Sequence, residues 1–236
     1  MIQEKGSISI STENIFPIIK KWLYSEKDIF IRELVSNSAD AISKLSKLQS
    51  IGEAPKSEQD KFKITVSVSK KAKTIKVIDN GIGMTDEEVK KYINQIAFSG
   101  ARDFIEKYKD KTDDQQIIGH FGLGFYSAFM VANKVQIDTL SYKEGAQAVR
   151  WISEGDTEYE MMPSDRSQTG TTITLYMADD GMEYTEYYTM HEVLKKYFSF
   201  LPYELYLVDE DKKEEEKDKE SKAEPINNPN PLRSEE

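Results

Sequence analysis

The chain has 236 residues, 38% hydrophobic and 31% charged, with a formal net charge of -10 and no cysteine. That length supports one sizeable domain with a core; disulfides and thiolate metal sites are excluded, and no apolar run approaches the ~20 residues of a membrane span. Uniform acidity argues against a phosphate-backbone partner, which needs clustered Lys and Arg, so the expectation is a cytoplasmic protein that binds neither nucleic acid nor membrane.

From the N-terminus, Ile8 and Ile10 alternate in GSISIST as a first strand, and FPIIKKWLY reads as a helix. Ser25 to Asp28 looks like a capping-box start for a second helix containing IRELVSNSADAISKL. Within it Glu33, Asn37, Asp40 and Lys44 recur at i, i+4, i+7 and i+11 as one polar stripe. Leu34, Ala41, Leu45 and Leu48 form an apolar stripe beside it. FKITVSVS and TIKVID alternate with period two around a KKAK turn, an antiparallel hairpin. Thr85 and Glu88 form a capping box ahead of a helix face made by Val89, Tyr92, Ile93 and Ile96. A Gly-rich turn at 119–124 leads into an apolar helix, FYSAFMVA. Strands follow at KVQIDTLS, QAVRWIS, EYEMM and TTITLYM; Thr189 and Glu192 cap a last helix with Val193, Leu194, Tyr197 and Phe198, and ELYLV closes as a strand. Mostly antiparallel strands with helices grouped between them predict an α+β fold, a two-layer sandwich with the helices on one face of the sheet.

One boundary is plain. Residues 209–224 hold nine acidic side chains against five lysines and no large apolar residue, so they form a charged flexible linker. Residues 1–208 before it form the domain, and the stretch 225–236 beyond it reads as the start of a further domain.

Four stretches carry candidate chemistry, and each also has a plain structural reading. The polar stripe of the second helix is either a solvated face or the wall of a wet pocket. In the pocket reading, the Asn37 carbonyl oxygen suits a hard cation such as Mg²⁺, and Glu33, one turn earlier, can orient or deprotonate a water. In VIDNGIGMT, Asp79 ends a strand ahead of Gly81 and Gly83. It is either turn chemistry or a carboxylate that accepts from an exocyclic amine while the glycines admit a flat ring. Gly119, Gly122 and Gly124 open directly into a helix, an arrangement whose free N–H groups suit phosphate oxygens. Neither a dinucleotide-binding fingerprint nor a Walker A motif fits that spacing. Thr171, at the start of a strand, is either β-propensity or support for Asp79. Taken together in one order, the four are the parts of one nucleotide pocket.

YSEKDIFIRELVSNSADAISKL, DNGIGMT, IAFSGA and GHFGLGFYSAFMVA resemble the signatures of the GHKL nucleotide-binding superfamily, and within it the heat-shock protein 90 chaperones. The resemblance runs over residues 6–208, and INNPNPL is similar to the start of that family's middle domain. It implies the Bergerat fold, with ATP or ADP and Mg²⁺ as ligands and ATPase activity. Unfolded or partly folded client proteins are the implied partners; dimerisation is expected of the full-length protein, with the isolated domain monomeric. By the same resemblance Glu33 is the general base and Asn37 the Mg²⁺ ligand. Asp79 receives the adenine amino group, with Gly83, Met84 and Thr171 lining the base site. Gly122, Gly124 and Phe125 lie at the phosphates, Asp40 shares the pocket face, and residues from about 94 to 124 form a mobile lid. Tyr92 and Phe98 stand where many members have Asn and Lys, and Asn94 is the compensating candidate. The arginine that completes the family's ATPase site belongs to the middle domain, so this piece is expected to bind ATP and hydrolyse it poorly.

Overall fold

Alternating β-branched residues make the frame of the molecule. The computed structural model describes residues 27–55, 61–94, 124–155, 158–212 and 224–229. Among these, seven strands form one sheet: β1 (Lys63–Ser69), β2 (Thr74–Asp79), β3 (Ala132–Leu140), β4 (Val149–Ser153), β5 (Glu160–Pro163), β6 (Gly170–Met177) and β7 (Glu204–Asp209). Their spatial order is β5-β4-β3-β6-β2-β1-β7. Every neighbouring pair is antiparallel except β1 with β7. One register row crosses the sheet through Ile64, Asp79, Thr171, Thr139 and Val149. The expected hairpin is β1–β2, so the α+β expectation holds. The early strand and helix, Ser25, Gly119, Gly122, Ile96, Phe98 and the 95–123 stretch lie outside the described residues.

Helices α1 (Ile29–Ser50), α2 (Asp86–Tyr92) and α3 (Tyr187–Phe198) complete the frame, with 3-10 turns at Gly124–Met130 and Asp179–Thr185. Phe30, Ile31, Leu34, Val35 and Ile42 of α1 are fully buried with Ile75, Val77, Ile137 and Leu175 of the sheet and Met190 and Leu194 of α3. Each such side chain contributes about 1.5–3 kcal/mol by leaving water, which sets α1 firmly on the sheet. On β6, Ile173, Leu175 and Met177 enter that core, while the intervening Tyr176 receives the Lys134 ammonium on its ring. Polar pairs such as Lys76–Glu210 at 2.9 Å and Arg150–Asp138 at 2.7 Å lie on the same side as Tyr176, away from the core.

Three local expectations are corrected. Asp28 takes the N-cap position of α1 without capping it, because its carboxylate instead accepts from Lys196 at 3.0 Å and Tyr197 at 3.1 Å. FYSAFMVA is not an α-helix: it is a short 3-10 turn that ends at Met130, since Val131 O already accepts from Ala178 N–H at 2.8 Å and Ala132 begins β3. The last helix starts at Tyr187, before Thr189, with no side-chain cap; Glu186 at its N-cap is drawn to Lys70. The capping box of α2 forms as expected, with Thr85 N–H on Glu88 Oε2 at 2.8 Å and Glu88 N–H on Thr85 Oγ1 at 3.3 Å.

Residues 224–229 lie against the domain. Ile226 N–H donates to Leu205 O at 2.8 Å, and the buried Asn227 amide accepts from Leu205 N–H at 2.8 Å. Its Nδ2 donates to Leu201 O at 2.7 Å and Tyr203 O at 2.8 Å. The described part of the tail is thus hydrogen-bonded to the start of β7.

Candidate functional site

Helix α1 has two functions along its length. The residues it buries on the core side alternate with Glu33 and Asn37, which stay partly exposed on one face at i, i+4. Asp40, the next in that stripe, is buried at 4% exposure. Glu33 Oε1 accepts from Arg32 Nη2 at 2.9 Å, and its other oxygen faces the 3-10 turn. A Cβ on Gly124 would stand 2.4 Å from Glu33 Oε2. A side chain at Gly124 would displace the carboxylate, so the helix wall meets the start of the 3-10 turn.

The second part is the end of β2. Asn80 makes the turn, accepting from Lys63 N–H and donating to Lys61 O, both at 2.9 Å. Asp79 points inward, is 4% exposed, and accepts from Gly81 N–H at 2.9 Å. The turn chemistry of DNG thus belongs to Asn80, and Asp79 beside it is a buried acceptor. Burial pushes the Asp79 carboxyl up to about 6, opposed by the Gly81 N–H, the Arg166 guanidinium, the Ser38 hydroxyl and the Thr171 N–H. A carboxylate held there in low dielectric is a strong acceptor for a ligand N–H. Gly83 follows with φ +62°, and a Cβ on it would lie 1.9 Å from Leu140 O. Any side chain would break the packing of this loop on β3. Met84 N–H then donates to Thr139 Oγ1 at 2.9 Å.

Thr171 stands directly opposite Asp79 in the β2–β6 register. Phe125 is buried in an aromatic cluster with Tyr126, Phe129 and Trp151, at ring-centroid distances of 5.5, 6.3 and 5.8 Å. Asn94 Oδ1 accepts from Trp151 Nε1 at 2.9 Å, which gives Trp151 a positioning contact beyond packing. Tyr126 Oη donates to Ile93 O, so the residues flanking the 95–123 stretch are tied together. Gly122 lies outside the described residues.

Sequence reasoning passed over three residues. Ser38 reaches Asp79 from α1, one position past Asn37. Arg166 Nη2 donates to Asp79 O at 2.9 Å, and its Nη1 donates to Thr172 Oγ1. Thr139 connects Met84, Gly170 and Thr171 through one hydroxyl. Nothing local marks a threonine in a strand as different from its neighbours. Its partners lie more than thirty residues away in sequence, and only the register joins them.

The acceptor-rich end at Asp79 and the Glu33 carboxylate beside Gly124 are compatible with a nucleotide. A family described as histidine kinase-, DNA gyrase B- and HSP90-like ATPase matches residues 24–176, a span that contains every candidate site residue named above. The chain belongs to this ATPase family. Among its relatives, the chaperone protein HtpG of Bacteroides fragilis is 56% identical over 199 residues, 84% of this chain and 28% of that protein. HtpG of Porphyromonas gingivalis is 50% identical over 200 residues, 85% of this chain and 29% of that protein. HtpG of Fusobacterium nucleatum is 42% identical over 216 residues, 89% of this chain and 35% of that protein. Within the ATPase family the chain is an HSP90-type ATP-binding domain. It spans about a third of the length of the relatives it matches. Among the described residues of this HSP90-type domain, no helix is long and apolar enough to cross a membrane.

Proposed function

We propose that this domain binds Mg²⁺-ATP against α1, with the base at Asp79 and the phosphates toward Gly124, and serves a longer, cytoplasmic chaperone that acts on unfolded or partly folded client proteins. The observation that carries the reading is the buried Asp79 carboxylate paired in register with Thr171. Gly81, Ser38 and Thr171 already donate to the Asp79 carboxylate, and its further lone pairs suit a ligand N–H. The amino group of adenine is such a donor.

In this reading Asp79 accepts from the adenine amine, and Gly83, Met84 and Thr171 line the base. Asn37 would hold Mg²⁺ through its amide oxygen, and the ion, when bound, neutralises charge on the phosphate oxygens. Gly122, Gly124 and the Phe125 backbone lie at the phosphates, with Asp40 on the same wall. Asn94 has its Oδ1 held by Trp151, which leaves its Nδ2 hydrogens as the group it can turn to a nucleotide. Glu33 Oε1 is held by Arg32, and Oε2 is the oxygen that takes the proton of the attacking water. As the water oxygen bonds to the γ-phosphorus, the bond from that phosphorus to the bridging oxygen breaks and ADP leaves.

We further read residues 1–208 as the ATP-binding domain, 209–224 as the charged linker and 225–236 as the opening of a middle domain. A residue from that domain completes the hydrolytic site, and the full-length protein is a dimer. The charge run and the identity to HtpG relatives support this division. The deciding experiment is a thermal melt with Mg²⁺ and ADP or ATP. Ligand that binds the native state must raise the melting temperature; an unchanged melt at millimolar nucleotide would reject ATP binding. Single-turnover hydrolysis on the longer natural chain then separates a working ATPase from a domain that only holds its nucleotide.

A further inference from the structure

Thr139, on β3, lies one strand beyond Thr171 in the same register row that contains Asp79. It is fully buried, whereas Thr171 retains 7% exposure. Thr139 Oγ1 makes three contacts: Met84 N–H at 2.9 Å, Gly170 O at 3.2 Å and Thr171 Oγ1 at 3.0 Å. A hydroxyl has one proton and two lone pairs. Met84 N–H can only donate and Gly170 O can only accept, so the first contact uses a Thr139 lone pair and the second uses its proton. The third bond then forms only if Thr171 donates its own proton to the remaining lone pair of Thr139. This is the single assignment that satisfies all three contacts. Thr171 reaches Asp79 through its backbone N–H, which leaves the hydroxyl proton to Thr139.

We propose that Thr139 is a specificity-determining residue of the base site: it draws the Thr171 hydroxyl proton away from the ligand. Asp79 and Thr171 then present acceptors only, and they select a purine with an amino group over one with a carbonyl at the same position. A carbonyl oxygen brought to this edge meets two sets of lone pairs and no donor. Without the Thr139 hydroxyl, the Thr171 proton is free to turn to such a carbonyl. The role is positional, because Thr139 acts through Thr171 and Met84. It rests on the nucleotide reading above.

The test is calorimetric titration of ADP and IDP, each with Mg²⁺, into the parent chain, Thr139→Val and Thr139→Ser. The two nucleotides differ in carrying an amine or a carbonyl at one ring position, and in IDP the adjacent ring nitrogen carries a proton, the same in every variant compared. The ADP-over-IDP preference should fall about tenfold in Thr139→Val, the worth of one hydrogen bond, and stay within about threefold of the parent in Thr139→Ser. In a Thr171→Val background, Thr139→Val should leave the preference unmoved. A residue that only supports the fold would weaken both nucleotides alike and leave their ratio unchanged, so an unchanged ratio in Thr139→Val overturns the proposal. If the valine variant does not fold, the parent chain decides by NMR. A slowly exchanging Thr139 hydroxyl proton close to Gly170 supports the assignment, and its absence overturns it. A parent chain with no ADP preference would reject the adenine reading itself, and this proposal with it. A parent that prefers ADP beside a valine variant with the same ratio would reject only the role of Thr139.

Discussion

Gly124 and Glu33 touch: the glycine backbone lies so near that an added Cβ would stand 2.4 Å from Glu33 Oε2. This contact brings the second turn of α1 and the end of the glycine-rich segment to one point. Gly124→Ala should push the Glu33 carboxylate aside. In the full-length protein it is expected to lower ATP turnover by about a hundredfold, the effect of a misplaced catalytic group. ADP affinity should change far less. Glu33→Ala should keep binding and lose turnover by about 10²–10⁴-fold. Undiminished hydrolysis in Glu33→Ala would remove Glu33 from the general-base role.

Asp79→Asn tests the base site. Asp79 Oδ1 is already engaged by Gly81 N–H, so an asparagine would keep its carbonyl oxygen there and turn its NH₂ toward the ligand. Donor would then face donor. ADP affinity should drop by about a hundredfold or more, the loss of a charge-assisted hydrogen bond. Calorimetry reads this directly, and an unaltered Kd would refute the adenine assignment.

The raised Asp79 carboxyl has opposite consequences for binding and for stability. Burial lifts it from 3.8 to about 6, so between these values the folded chain holds a proton that the unfolded chain has released. Its contribution to stability therefore falls as pH rises through this window and is regained as pH falls, by about 3 kcal/mol in total. Binding needs the ionised acceptor, so adenosine affinity should weaken toward tenfold per pH unit below about pH 6. Adenosine is the suitable probe because it carries no titrating phosphate. Asp79→Asn should flatten both profiles, and a parent affinity that stays constant from about pH 8 to about pH 5 would contradict the ionised-acceptor role.

Asn227 holds the tail to β7 through bonds to Leu205 N–H, Leu201 O and Tyr203 O. Asn227→Ala leaves these buried backbone groups without that partner, at about 2–4 kcal/mol. The melting temperature should fall by about 5 °C or more. A chain ending before residue 224 should show a similar loss. A melt within about 1 °C of the parent in either would mean that the tail adds nothing to the domain.

Short-range physics made much of this protein legible in its sequence. Period-two alternation marked β1 and β2, the Thr85–Glu88 box marked α2, and helical spacing put Glu33, Asn37 and Asp40 on one stripe. Those signals depend on residues a few positions apart, where backbone geometry alone fixes which side chains share a face. Tertiary contacts decided the rest. Asp28 left the α1 cap for Lys196 and Tyr197 on α3, and FYSAFMVA became a 3-10 turn because β3 had to begin at Ala132. The Asp79–Thr171–Thr139 row exists only because β2, β6 and β3 pair in one register. A hydroxyl's partners across a sheet leave no trace in local composition, since a threonine suits a strand with or without them. Local spacing showed which residues this ATPase domain carries on each face; the sheet register decided which of them meet, and so which way the Thr139 and Thr171 hydroxyl protons point.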